Sequence, residues 1–220
     1  MPKAINDLIK GCKEFKLHYF DNHHPLFETL SQGQKPKALV ISCSDSRVDP
    51  VIVTKCEPGD LFVIRNVANL VPPYEQDNGY HGTSAALEFG IGTLGIQHII
   101  VFGHTQCEGI HHLLTEQDCQ IKKRSFISQW MNLANWAHMH TKQNRKNLSH
   151  QQQVSLCGQY SLIHSLNNLM TFPWIKEKVE NNQLTLHAWQ FNIATGDVAA
   201  FTPKTFPVAE ENVDVFKILN

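Results

Sequence analysis

Two short segments, Cys43-Ser44-Asp45-Ser46-Arg47 and His104-Thr105-Gln106-Cys107, constrain this chain more than any other feature. Each follows an apolar run, Ala38-Leu39-Val40-Ile41 in the first case and Ile99-Ile100-Val101-Phe102-Gly103 in the second. Such runs, ending in small or turn residues, read as buried strands of an α/β sheet, which gathers its ligands beyond the carboxyl ends of its strands. Two strand ends then carry Cys43, His104 and Cys107. Structural zinc sites close with four protein ligands, whereas catalytic sites hold three and keep a position open. Two thiolates and one imidazole suit zinc best among the common metals. A single cysteine reads as a small buried hydrophobe; the joint pattern is what selects a metal. Asp45 and Arg47 add a carboxylate and a guanidinium beside the first ligand. If this stretch continues extended, Cys43, Asp45 and Arg47 all point one way.

Further landmarks accompany these segments: Gly33-Gln34-Lys35-Pro36-Lys37, Glu57-Pro58-Gly59-Asp60-Leu61-Phe62, and Arg65-Asn66-Val67-Ala68-Asn69-Leu70-Val71-Pro72-Pro73-Tyr74. Ala85-Ala86-Leu87-Glu88-Phe89, Ser165-Leu166-Asn167-Asn168-Leu169 and His187-Ala188-Trp189 follow in order. From Gln34 to Phe201 the chain resembles the β-class carbonic anhydrases, most closely their plant-type branch. The resemblance implies one zinc per chain on Cys43, His104 and Cys107, CO2 and bicarbonate as substrates, and a homodimer or higher homo-oligomer. Hydrating CO2 needs hydroxide at neutral pH, and zinc supplies it by lowering the pKa of bound water from about 15.7 to about 7. Asp45 would accept a hydrogen bond from that water and aim it, and Arg47 would hold Asp45 ionised through a short charge-assisted pair.

The same resemblance implies pocket residues. Gln34 would reach the substrate, often across a subunit boundary, while Phe62 and Val67 form an apolar wall suited to CO2. Phe89 stands where the plant branch has a tyrosine, and Glu108 where the family usually has glycine; its carboxylate is expected to fold out to solvent. Some family members bind inhibitory bicarbonate at a second pocket. The matching positions here are Val40 and Phe191, which offer no donor, and Arg65, which reads as a structural ion-pair or interface residue. Two other readings share the zinc site: a carbonyl sulfide or carbon disulfide hydrolase, and a non-catalytic zinc or bicarbonate-binding protein. Asp45 and Arg47 argue against the latter, since a structural site has no use for them.

Length and charge agree. The 220 residues suit a single domain, 1–220, with an N-terminal helical arm over 1–34. Net charge is −1 with 18% charged residues, which marks no nucleic-acid partner; the Lys122-Lys123-Arg124 run is too short to change that. Six irregularly spaced cysteines favour thiols and metal over disulfides, with Cys12, Cys56, Cys119 and Cys157 as structural or surface thiols. His23-His24 and His111-His112 read as surface pairs. Met1 to Phe20 lacks the apolar core of a secretory signal and no stretch suits a membrane span, so cytoplasm is expected. Residues 3–30 read as an amphipathic helix, strands fall near 38–43, 60–66 and 98–103, and a helix spans Thr83 to Leu94. A further helix follows Cys107, residues 125–180 are mostly helical, and Leu184–Phe191 with Asp197–Phe201 form a closing hairpin. The outcome is a mostly parallel central sheet of four to five strands flanked by helices. Gly90, Gly92 and Gly95 read as close helix packing.

Overall fold

The apolar runs preceding the two ligand segments form β1 (Ala38–Cys43) and β3 (His98–His104), paired parallel so that Leu39 faces Ile99 and Ser42 faces Phe102. The computed structural model describes residues 1–21, 25–77, 79–115, 125–144, 146–209 and 216–219. His23-His24, Cys119 and Lys122-Lys123-Arg124 lie outside them. β2 (Leu61–Asn66) flanks β1 on its other side and β4 (Thr185–Phe191) flanks β3, both parallel. β5 (Val198–Phe201) returns antiparallel on β4, completing the expected hairpin. The sheet has six strands, not four to five, in the order β2-β1-β3-β4-β5-β6. The addition is the two-residue β6 (Lys217–Ile218), too short to leave a periodic signal.

Parallel neighbours require crossovers, and helices supply them. With α1 and α2 in the N-terminal segment, α3 (Pro50–Val53) joins β1 to β2, and α4 (Gly82–Glu88) joins β2 to β3. Between β3 and β4 run α5 (Glu108–Thr115), α6 (Phe126–Met131), α7 (Asn135–Asn144), α8 (His150–Leu169) and α9 (Pro173–Glu180). Strand alternation divides the core into two. Leu39, Ile41 and Cys43 join Ile99, Val101 and the α8 residues Leu162, Ile163 and Leu166 on one face. Ala38, Val40, Ile100 and Phe102 lie on the other, with Trp189 and Phe191 against them. Fully burying each such aliphatic side chain contributes about 1.5–3 kcal/mol, so both faces of β1 and β3 are held rigidly behind the ligand segments.

Glycine lets helices approach this sheet. A Cβ on Gly103 would stand 3.2 Å from Leu162 Cδ2, and one on Gly90 would stand 2.6 Å from Leu39 Cδ1. The reading of Gly90, Gly92 and Gly95 as packing glycines therefore holds only for Gly90. Gly92 meets nothing within 4 Å, and Gly95 serves the backbone, with φ at +68°. The expected 83–94 helix is α4 passing into a π turn over Phe89–Thr93.

Met1–Lys35 is a compact unit by contact, and Pro36–Asn220 is another. Within the first, residues 3–30 do not form one helix. α1 (Lys3–Lys16) passes into a π turn at Leu17–Asp21, and α2 (Leu26–Leu30) begins after Pro25. Proline lacks the N–H that a continuing helix needs, and its ring clashes with the preceding turn. Phe20 stacks on Phe27 at 4.9 Å, and Ile5, Leu8 and Ile9 on α1 are exposed.

Cys157 on α8 is fully buried, and burial pushes its thiol up to about 11. The thiolate is the reactive species. Alkylation with iodoacetamide at pH 8, read by peptide mass mapping, should leave Cys157 unmodified in the native protein and modify it in urea. Native-state labelling at the rate of the exposed Cys12 would contradict this packing.

Candidate metal centre

The two strand ends bring Cys43, His104 and Cys107 together, all buried, with their ligand atoms within 4.8 Å of one another. The sulfurs of Cys43 and Cys107 are 3.9 Å apart. His104 Nδ1 lies 2.9 Å from the Thr105 carbonyl. A carbonyl only accepts, so Nδ1 carries the proton and Nε2 keeps its lone pair. That buried Nε2 has no hydrogen-bond partner among the described residues. A left-handed Gln106, φ +57°, turns the chain so that Cys107 faces back.

Backbone amides solvate both sulfurs. Those of Asp45 and Ala68 point at Cys43, and those of Gly109 and Ile110 at Cys107. The hydrogen bond from Cys107 holds the Cys43 thiol down at about 4, and the same bond, together with burial, pushes Cys107 up. A divalent cation bound to the pair would displace whatever thiol proton remains on it. An imidazole lone pair with no other partner, set beside two amide-solvated sulfurs, fits zinc.

Asp45 and Arg47 meet by a different route from strand alternation. The chain leaves the extended conformation after Cys43 and turns, with Val48 N–H donating to the Asp45 carbonyl at 3.1 Å. Asp45 Oδ1 accepts from Arg47 N and Nε, each at 2.9 Å, and Oδ2 accepts from Nη2 at 2.6 Å. A short carboxylate side chain bonded to the amide two residues on nucleates such a turn. Arg47 Nη2 also donates to the Gln106 carbonyl at 3.0 Å, which ties the two ligand segments together. Arg47 holds the Asp45 carboxyl down at about 2. Asp45 Oδ2 stands 3.8 Å from His104 Nε2, within reach of anything bound at the cluster. Exposed ion pairs contribute under about 1 kcal/mol. This pair is bidentate and its carboxylate side chain is only 11% exposed, so it is ordered in a way surface pairs are not.

Arg65 organises the same loop from β2. Nε donates to the Cys43 carbonyl at 2.9 Å, and Nη2 to the carbonyls of Asp45 and Val48, each at 2.7 Å. Nη1 pairs with Asp49 at 3.3 Å. The structural ion-pair reading of Arg65 is correct but understates it, because three of its partners are carbonyls that no sequence pattern marks. Ala68 and Asn69, with φ of +62° and +49°, likewise carried no signal; backbone geometry, not side-chain type, brings the Ala68 amide to Cys43.

The other expected pocket residues fall in different places. Val67 follows Asn66, which pairs with Cys43 across the sheet. It is 38% exposed and lines an open cleft of about 800 Å³ together with Tyr80, Phe126 and Trp130; Trp130 Nε1 donates to its carbonyl at 2.7 Å. Phe62 does not share that cleft. It pairs with Leu39, four residues back along the strand from Asn66, about 13 Å at the usual strand rise. There it packs against Phe89, ring centroids 6.0 Å apart. Within one chain, then, Phe62 and Phe89 do not wall the cluster. Gln34 is exposed in the N-terminal unit. The Glu108 side chain is 78% exposed and faces His111 at 3.8 Å, directed outward as expected.

Residues 38–198 match the family model described as carbonic anhydrase. The chain is 44% identical over 177 residues to β carbonic anhydrase 5, chloroplastic, of Arabidopsis thaliana, covering 80% of this chain and 58% of that protein. It is 38% identical over 194 residues to a carbonic anhydrase of Synechocystis, covering 88% and 70%. The solved structure of the β-carbonic anhydrase CcaA superposes with a TM-score of 0.84 at 37% identity, over 90% of this chain and 95% of that one. This chain belongs to the carbonic anhydrase family, in its β class. It spans little more than half the length of the Arabidopsis chloroplastic relative.

Two measurements test the loop. Arg65→Ala would leave three carbonyls and Asp49 without their donor and should lower stability by roughly 2–4 kcal/mol in urea titration; a loss under about 0.5 kcal/mol would contradict the arrangement. Asp45 has a depressed folded-state pKa, so its contribution is present above the unfolded value of about 3.9 and is lost as pH falls toward about 2. In metal-free protein the stability gap between wild type and Asp45→Asn should therefore be full at pH 6 and shrink below pH 4. A gap that widened on acidification would refute the pairing.

Proposed function

We propose that this chain catalyses the reversible hydration of CO2 to bicarbonate and a proton, with one zinc held by Cys43, His104 and Cys107. The observation that carries the reading is a buried three-ligand cluster with a carboxylate fixed 3.8 Å from the His104 nitrogen, in a β-class carbonic anhydrase chain. When bound, zinc supplies a Lewis acid that makes water nucleophilic near neutral pH. The side chains do the rest. Asp45, ionised across the working pH range, accepts a hydrogen bond from the attacking water and aims its free lone pair at carbon. Arg47 keeps Asp45 turned toward the cluster and away from service as a fourth ligand. Val67 gives the cleft an apolar wall for an apolar gas. Kinship assigns no compartment, since relatives include chloroplastic and mitochondrial enzymes; cytoplasm is the compartment we propose. Among the described residues no helix is long and apolar enough to cross a membrane.

Gln34, Phe62 and Phe89 enter this reading through a second copy. The uncovered apolar residues of α1 support an arm, residues 1–34 of a single 1–220 domain, wrapped on a partner subunit. Gln34 and Phe62 then lie near the interface. Regulation by bicarbonate at Val40, Arg65 and Phe191 does not belong to the proposal. Val40 is buried among apolar side chains, Phe191 packs on Phe102, and Arg65 spends its donors on Cys43, Asp45, Val48 and Asp49. An anion there would lack partners to offset its desolvation.

Cys107→Ala should lose stoichiometric zinc by metal analysis and lose CO2 hydration by stopped flow. Asp45→Asn should retain zinc and lose about 100-fold or more in rate, the usual scale of a positioned acid–base group. Tight zinc in the first variant, or full rate in the second, would overturn the assigned roles. Sedimentation should give a dimer as the smallest active species, and a fully active monomer would refute the shared-site reading.

A further inference from the structure

A small cavity of about 10 Å³ adjoins the ligand cluster, with Ala68, Asn69, Gly103, His104, Cys107 and Ser161 in its lining. That is room for the centre of about one water molecule. Ser161, on α8, is 2% exposed, and its Oγ has no hydrogen-bond partner among the described residues. Helical serines and threonines commonly return their hydroxyl to the carbonyl four residues back, as Thr141 does to Ala137 at 2.8 Å. Ser161 makes no such bond and lines the cavity instead. A buried hydroxyl left without a partner is unfavourable, and Asn69 and Cys107, which also carry polar or sulfur atoms, line the same cavity. Ala68 and Asn69 help to form the cavity in left-handed conformations, which non-glycine residues keep only where their surroundings impose them.

We propose that this cavity binds one ordered water, which accepts a hydrogen bond from Ser161 and donates one to the Cys107 sulfur. Ser161 is thereby a positioning residue, acting on the metal through a ligand. The inference rests on the zinc reading above. Cys107 already receives the amides of Gly109 and Ile110, and a further donor draws more charge from the sulfur. Outer donors of this kind tune what a ligand gives its metal. They matter in a two-thiolate site, which donates more charge than an all-imidazole one.

A high-resolution crystal structure of the zinc-loaded protein should show a water within hydrogen-bond distance of both Ser161 Oγ and Cys107 Sγ. Zinc on its three ligands beside a dry cavity would overturn the water site and leave the zinc reading intact. No zinc on Cys43, His104 and Cys107 would overturn both. In cobalt-substituted protein, Ser161→Ala should move the sulfur-to-metal charge-transfer absorption to lower energy, because the sulfur loses a donor. Ser161→Thr, which keeps the hydroxyl, should leave the band near its wild-type position. An unchanged band in Ser161→Ala would defeat the proposal even with zinc affinity and fold intact.

Discussion

The parallel register of β1 against β3 is the constraint on which the rest of this molecule depends. With Ser42 opposite Phe102, Cys43 ends its strand beside the residues that lead into His104, and a single left-handed residue at Gln106 returns Cys107 to the same place. Side chains alternate across a sheet, so a one-residue slip would send Cys43 to the opposite face and dismantle the cluster. The register is secured on both faces, by Leu39 and Ile41 with Ile99 and Val101 on one and by Val40 with Ile100 and Phe102 on the other. Two of the three candidate metal ligands, Cys43 and His104, therefore end buried strands of the fold, and Cys107 follows one turn later.

The backbone around the cluster works as hard as the side chains. Four amides point at the two sulfurs, Arg65 holds the carbonyls of Cys43, Asp45 and Val48, and Arg47 reaches from Asp45 to the carbonyl of Gln106. These contacts have a common logic. Buried thiolates need donors, and a loop carrying a partly buried carboxylate needs its own carbonyls satisfied before it can stay in one shape. Arg suits both arginine positions because a planar fork donates in several fixed directions, which a lysine ammonium does not. The consequence is an Asp45 that is ionised, oriented and near the cluster before any metal or substrate arrives.

Two regions expose apolar side chains. The cleft beside Val67 is broad and lined by exposed aromatic side chains, and α1 exposes Ile5, Leu8 and Ile9. Phe62 and Phe89 pack together about one strand-length from their own cluster.

The sequence by itself determined a great deal here: which strands are buried, that an α/β sheet with a parallel core results, and that Cys43, His104 and Cys107 form one group. It could do so because apolar runs, their small terminal residues and the ligand types are local facts of composition and order. It also located the breaks imperfectly, reading one helix through Pro25 and missing the two-residue β6, whose only cause is an available edge on β5. What tertiary structure alone decided is how the loop between Cys43 and Asp49 is shaped. An extended reading placed Asp45 and Arg47 side by side for the wrong reason; an Asx turn, closed by Arg65 from the neighbouring strand, is what brings them together. The separation of Phe62 from the cluster and the aim of Ser161 belong to the same class. Each depends on strand rise, helix placement and the directions of backbone hydrogen bonds, and these exist only once segments far apart in sequence have packed.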